Sequence, residues 1–212
     1  MLISFLNDLL NLENKIVDIK YRNLEKLSVN EYDRKAIFDL YCKDERGDYF
    51  IVELQRAKQK YFKDRSLYYT SFAIQEQAKR GSWDYRLDRV YFIALLEFEM
   101  DEDENYIKEV ALYEENKKEL FYDKLKLIYI EIPKFKKSDK ELSSHLDMWL
   151  YLLKHLVEFT DIPEFVKKDE VFEEVFDVAE FLKLSKEEQF AYQKDLKARL
   201  DFENTLNYAK ET

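Results

Sequence analysis

Leu2, Phe5, Leu6, Leu9 and Leu10 recur at helical spacing, so the chain opens on an amphipathic helix. The period then shortens. "NKIVDIKY" and "KAIFDLYC" are short runs rich in β-branched and aromatic residues, and "DYFIVELQ" follows the second across "KDERG". Gly47 in that connection can take the positive φ that a hairpin loop often needs. Between Arg56 and Arg80 there is neither Gly nor Pro, and Tyr61, Leu67, Tyr68, Phe72 and Ile74 fall on a helical pattern that predicts one long helix ending before Gly81. "RVYFIALLEF" and "KLKLIYIEI" are continuous apolar runs of the kind buried central strands show, the second closed by Pro133. "LSSHLDMWLYLLKHLVEF" returns to a helical period, and beyond Pro163 the chain reads as helical and charged to Thr212. This order predicts an α/β core over residues 1–159 and a helical extension over 160–212.

In the hairpin, alternation puts Asp39 and Tyr41 on one face, with Glu53 and Gln55 beside Ile51 on the matching face of the second strand. A turn centred on Arg46 makes Asp39 and Glu53 a directly opposed pair, with side chains starting only ~5 Å apart. Like charges so placed repel unless a proton or a cation intervenes. A solvated face is the commonest reading of such a pair, but Tyr41, Ile51 and the apolar alternate face predict a strand covered on both sides, where unpaired carboxylates are costly. A metal ion resolves the conflict: carboxylate oxygens plus waters are what Mg²⁺ prefers. Gln55 points the same way and could orient the attacking water or a phosphate oxygen.

Composition narrows the function. The 38% charged and 16% aromatic residues fit a folded, highly soluble protein, and only 2 Gly and 2 Pro favour long regular elements. A net charge of −10 argues against coating nucleic acid by electrostatics alone. One local patch runs the other way: Arg56, Lys58, Lys60, Lys63 and Arg65, against Asp64, open the predicted long helix and could dock phosphates. Cys42 has no partner for an internal disulfide, and no apolar run approaches the ~20 residues of a membrane span. The N-terminal "MLISFLNDLL" lacks the basic flank and cleavage site of a signal peptide, so the expected location is the cytoplasm.

"IFDLYCKDERGDYFIVELQ", "FKDRSLYYTSFAIQEQAKRG", "YFIALLEF", "LIYIEIPKF" and "LDMWLYLLK", in this order, resemble the PD-(D/E)xK nuclease family transposases, a group related to the recombination-promoting nucleases. The resemblance implies a restriction-endonuclease-like α/β core, with a central mixed sheet flanked by helices, and cleavage of DNA phosphodiester bonds that depends on Mg²⁺, with Mn²⁺ as a substitute. Carried over by motif, Asp39 takes the place of the metal-binding Asp and Glu53 that of the Glu of the ExK signature. The Leu54 carbonyl would be a further ligand. Phe38 stands where the signature has proline, and Gln55 stands where it has lysine. A neutral amide cannot supply that lysine's charge, so the metal must carry more of the stabilisation. Arg65, Tyr69 and Gln75 fall in segments that recur in the family and are supporting candidates. Relatives usually continue upstream of the opening helix, which keeps an alternative in view: a nuclease-like module without turnover, serving as a DNA-binding or oligomerising scaffold. A nuclease acting on RNA would use the same site.

The remaining features read as structural. "EFEMDEDENY" is expected to be a solvated acidic loop, His145 and His155 are too far apart to share a metal by helical spacing, and Cys42 is expected in the core. In the extension, Ser185 and Glu188 are spaced as a capping box, ahead of a stripe through Phe190, Leu196, Leu200 and Leu206. That stripe either folds back on the core or pairs with a second chain, making a homo-oligomer through the C-terminal helix.

Overall fold

The computed structural model describes residues 1–22, 39–78, 81–156, 158–159 and 162–183. Its centre is a six-stranded mixed sheet of order β1-β2-β3-β4-β6-β5. The strands are β1 (Ile19–Tyr21), β2 (Leu40–Asp44), β3 (Tyr49–Gln55), β4 (Val90–Leu96), β5 (Ile107–Glu114) and β6 (Glu119–Glu131). The three apolar runs form β3, β4 and the end of β6, which lie parallel to one another, and every residue of β4 is buried. Parallel strands need both faces covered, which is why 49–52, 90–96 and 127–130 are continuously apolar rather than alternating.

One face carries Tyr41, Ile51, Phe92, Ala94 and Tyr129 and is closed by α2 (Phe62–Gln75), which contributes Phe62, Phe72 and Ala73 to the same core. On the other face Cys42, Phe50, Val52, Ile93 and Ile130 are buried, and the Phe50 and Tyr91 rings stack with centroids 5.2 Å apart. Two further helices, α1 (Leu2–Leu10) and α3 (His145–His155), meet through Phe5 and Trp149, edge to face at 5.8 Å. Asp8 ties the same pair together, accepting from Trp149 Nε1 at 3.0 Å and contacting His145.

Three elements differ from the sequence reading. The predicted helix over 56–80 begins only at Phe62 and ends at Gln75, so Arg56, Lys58 and Lys60 lie in a non-helical strap before it. Gln55 Nε2 donates to the Ala57 carbonyl at 2.9 Å and Lys58 Nζ to the Glu99 carbonyl at 3.1 Å. These bonds hold the strap in a non-helical path. Strand β5 and the outer half of β6 form a hairpin that the apolar runs did not reveal, because it is largely exposed and bulged between Ala111 and Tyr113. Of "NKIVDIKY" only Ile19–Tyr21 is a strand.

The chain divides into a unit of Leu2–Lys154 and a second unit from His155 onward that also includes Met1. In the second, α4 (Glu170–Lys183) buries Phe172 and Phe176, with Phe165 packed edge to face on Phe172 at 5.7 Å. The capping box at Ser185 and the apolar stripe from Phe190 to Leu206 lie outside the described residues, as does Phe38.

Candidate active site

The site begins with the register of the hairpin. Leu40 pairs with Val52, Tyr41 with Ile51 and Cys42 with Phe50, so one further step sets Asp39 opposite Glu53. A turn over Glu45–Asp48 produces that register, with Gly47 at φ +102 where a side chain would meet Asp88. At the open end of the hairpin the two acids interlock. The Asp39 N–H donates to Glu53 Oε1 at 3.2 Å, and the Leu54 N–H donates to Asp39 Oδ2 at 2.6 Å. Each carboxylate therefore satisfies the other strand's main chain where the ladder ends. Glu53 is only 5% exposed, on the face that α2 covers, whereas Asp39 opens to solvent.

Burial, and then the Asp39 charge, push the Glu53 carboxyl up from its ordinary 4.5 to about 7. The Asp39 N–H and the Arg65 guanidinium act in the opposite sense. A carboxylate held near neutrality beside a second one is an unrelieved electrostatic conflict that a hard cation would remove. The donors at hand are all oxygen, which suits Mg²⁺ or Mn²⁺ rather than a soft metal. Among the described residues no group of three or more His, Cys, Asp or Glu is placed to hold a metal ion, so a cation here would rely on these two acids, main-chain oxygen and water or phosphate. That is the usual Mg²⁺ pattern.

Gln55, on the same face, does not stand alone. Its Oε1 accepts from Arg65 Nη2, and Arg65 Nη1 donates to Gln59 Oε1 at 2.6 Å. The same Nη2 lies 3.7 Å from Glu53 Oε2. The guanidinium is seated over Phe62 at 5.0 Å and Tyr69 at 5.6 Å, which fixes its plane. Tyr69 is half-buried, and its hydroxyl is raised by burial and by Glu53.

The other candidates spread out from this point. Leu54 is an exposed residue of β3, and Gln75 is exposed at the end of α2. Arg56 faces Glu97 at 3.7 Å, and Lys58 is turned onto the Glu99 and Met100 carbonyls. Lys58, Lys60 and Lys63 rim a cleft of about 310 Å³ floored by Phe62, Phe98 and Met100. The acidic run after β4 is more ordered than a solvated loop. Buried Glu131 accepts from the Met100 N–H at 2.8 Å and pairs with Lys134 at 2.9 Å and Lys108 at 3.3 Å, and both lysines also hold Asp101 and Asp103. Sequence reasoning also missed Glu76, which accepts from the Tyr41 hydroxyl at 2.7 Å and pairs with Arg22. Its only signal was a polar residue at the edge of an apolar helical pattern. Cys42 is buried with its thiol pushed up to about 12, which makes it a core residue and not a nucleophile.

Among the described residues no helix is long and apolar enough to cross a membrane. The sequence model of a protein family described as PD-(D/E)XK nuclease family transposase matches residues 1–209 of the 212. No curated protein and no solved structure matches the chain.

Proposed function

The chain belongs to the PD-(D/E)XK nuclease transposase family, and from that premise we propose that it is an endonuclease hydrolysing DNA phosphodiester bonds with a divalent cation, Mg²⁺ in the first place, at Asp39 and Glu53. One observation carries the reading: two interlocked carboxylates, one nearly buried and held near neutral pH, at the open end of a hairpin whose other polar neighbours are a glutamine and an arginine. Two acids so opposed repel unless a proton or a cation lies between them, and the cation is the reading the family supports.

In this proposal Asp39, Glu53 and the Leu54 carbonyl hold the cation. When bound, such a cation polarises the phosphate and lowers the pKa of water. The protein's own groups do the rest. Glu53 and Asp39 fix the place where the phosphate approaches, Gln55 and Tyr69 shape that place beside Arg65, and Gln75 is a supporting residue further along α2. Arg56, Lys58 and Lys60 of the strap and Lys63 of α2 grip flanking phosphates, so that a chain of net charge −10 meets DNA through a local basic edge. A role in transposition or recombination follows from the family, and a cytoplasmic setting fits it.

Supercoiled plasmid incubated with the protein should be nicked in Mg²⁺ or Mn²⁺ and spared in EDTA. Plasmid left intact with both metals would favour the scaffold, and cleavage of an RNA transcript in preference to plasmid would move the substrate to RNA. The strap is tested separately. Reversing Lys60 and Lys63 to Glu should weaken DNA binding and lower the slope of log affinity against log salt by ~0.9 for each lost phosphate contact, with melting temperature unchanged because both residues are exposed. An unchanged affinity and slope would make the strap an ordinary solvated edge.

A further inference from the structure

Gln55 leaves the site without the cation that a lysine would supply at that position. The structure brings another positive charge to the same place. Arg65, from the first turn of α2, reaches Gln55 Oε1 with Nη2 and Gln59 Oε1 with Nη1, and the same Nη2 stands 3.7 Å from Glu53 Oε2. Its plane is set by the Phe62 and Tyr69 rings at 5.0 and 5.6 Å, and its Nε is buried with no hydrogen-bond acceptor among the described residues.

The choice of partners matters. An arginine that serves as a strut commonly forks onto a carboxylate, which neutralises it. Here both forked partners are neutral amides, and the one acid nearby is the residue proposed to hold a metal. Its charge therefore remains available to an anion arriving at Asp39 and Glu53.

We infer that Arg65 is the catalytic cation of this site: it takes the place of the missing lysine, with Gln55 and Gln59 as the positioning residues that aim it at the phosphate being hydrolysed. The inference rests on the nuclease reading given above. In the reaction a water oxygen bonds to phosphorus while the bond to the leaving sugar oxygen breaks, and the one proton that the water loses is balanced by one taken up from solvent at the leaving oxygen. Arg65 neither gives nor takes an atom. It stabilises the negative charge that builds on the phosphate oxygens, beside the nearly buried Glu53.

The test uses the full chain and four variants: Arg65→Ala, Arg65→Lys, Gln55→Lys and the double variant of Arg65→Ala with Gln55→Lys. Each is measured for plasmid nicking in Mg²⁺, for melting temperature, and for affinity toward a short DNA duplex in EDTA over a range of salt. Arg65→Ala is expected to lower nicking by ~10²–10³-fold, the usual loss on removing one group that stabilises transition-state charge. Its metal-free salt slope should fall by ~0.9, and Arg65→Lys should keep the slope and recover part of the rate. The double variant is decisive, because a lysine restored at position 55 should raise nicking at least ~10-fold over Arg65→Ala, a rescue that lost packing could not produce.

Should Arg65→Ala fail to fold, Arg65→Gln takes its place under the same criteria. A folded Arg65→Ala that nicks like the wild type overturns the inference. So does a loss of nicking with an unchanged salt slope and no rescue by Gln55→Lys, since Arg65 would then only pin the strap. A wild type inert in both metals overturns the nuclease reading and this inference together, a result distinct from the other two.

Discussion

Replacing Glu53 by Gln is expected to abolish metal-dependent nicking, a fall of ~10³-fold or more if the loss of a metal ligand is at least as severe as that of one transition-state donor, while making the metal-free protein more stable above pH 7. Glutamine keeps the shape of the side chain and an oxygen to accept the Asp39 N–H, but it carries no charge to desolvate and none to repel Asp39. Asp39→Asn should behave alike, since an amide oxygen can still accept the Leu54 N–H. Substitutions in a structural network ordinarily lose stability and function together. Opposite signs mark a residue retained for chemistry at a cost to the fold. The measurement pairs nicking in Mg²⁺ with a denaturant midpoint at pH 8 in EDTA. If Glu53→Gln is destabilised by ~2 kcal/mol or more, the carboxylate is a structural acceptor and the site lies elsewhere.

The parts of this molecule written in apolar runs were legible, and the parts written in partner choice were not. Strand β4, the start of β3 over 49–52 and the end of β6 over 127–130 are buried on both faces, which demands unbroken apolar sequence and so announces itself. The opposition of Asp39 and Glu53 followed from alternation and a turn centred on Arg46, because a period of two leaves no freedom once the turn is placed. By contrast, the strap from Arg56 to Tyr61 contains no helix breaker, and it is side-chain bonds from Gln55 and Lys58 to main-chain carbonyls, and from Arg65 to Gln59, that hold it off the helical path. The hairpin of β5 and outer β6 exposes apolar and polar side chains alike, with Tyr113 and Phe121 in solvent, so its pattern carries no buried face to detect. Arg65 could be placed near the site from its position in the chain. That it forks onto Gln55 and Gln59, with Glu53 only at 3.7 Å, depends on the strap's path, and no sequence period encodes that.

The same pair predicts how metal and pH act on stability. Without metal, Glu53 has a folded value of about 7 against an ordinary 4.5, so the native state holds a proton that the unfolded state releases in this interval. A raised carboxyl contributes stability that is fully present below pH 4.5 and is lost as pH rises through 7. Because Glu53 is nearly buried, the loss should reach about 3 kcal/mol. Asp48, raised by burial, adds to it in the same direction. Asp147, held down to about 2 by Lys137 and the Ser143 N–H and hydroxyl, works the other way but only in strong acid, so it leaves the interval clear. Divalent cation should reverse the trend, because it binds the ionised pair and must displace the proton to do so. At ~100 times its dissociation constant it adds ~2.7 kcal/mol, a rise of roughly 5–10 °C in melting temperature for a chain of this size. The shift should be small at pH 5 and full at pH 8. Melting curves of wild type and Glu53→Gln, in EDTA and in Mg²⁺ across that range, separate the causes: the variant should lose most of the slope between pH 5 and 7 and most of the response to Mg²⁺. Equal slopes and equal Mg²⁺ shifts in the two proteins would mean that neither the proton nor the metal resides at Glu53.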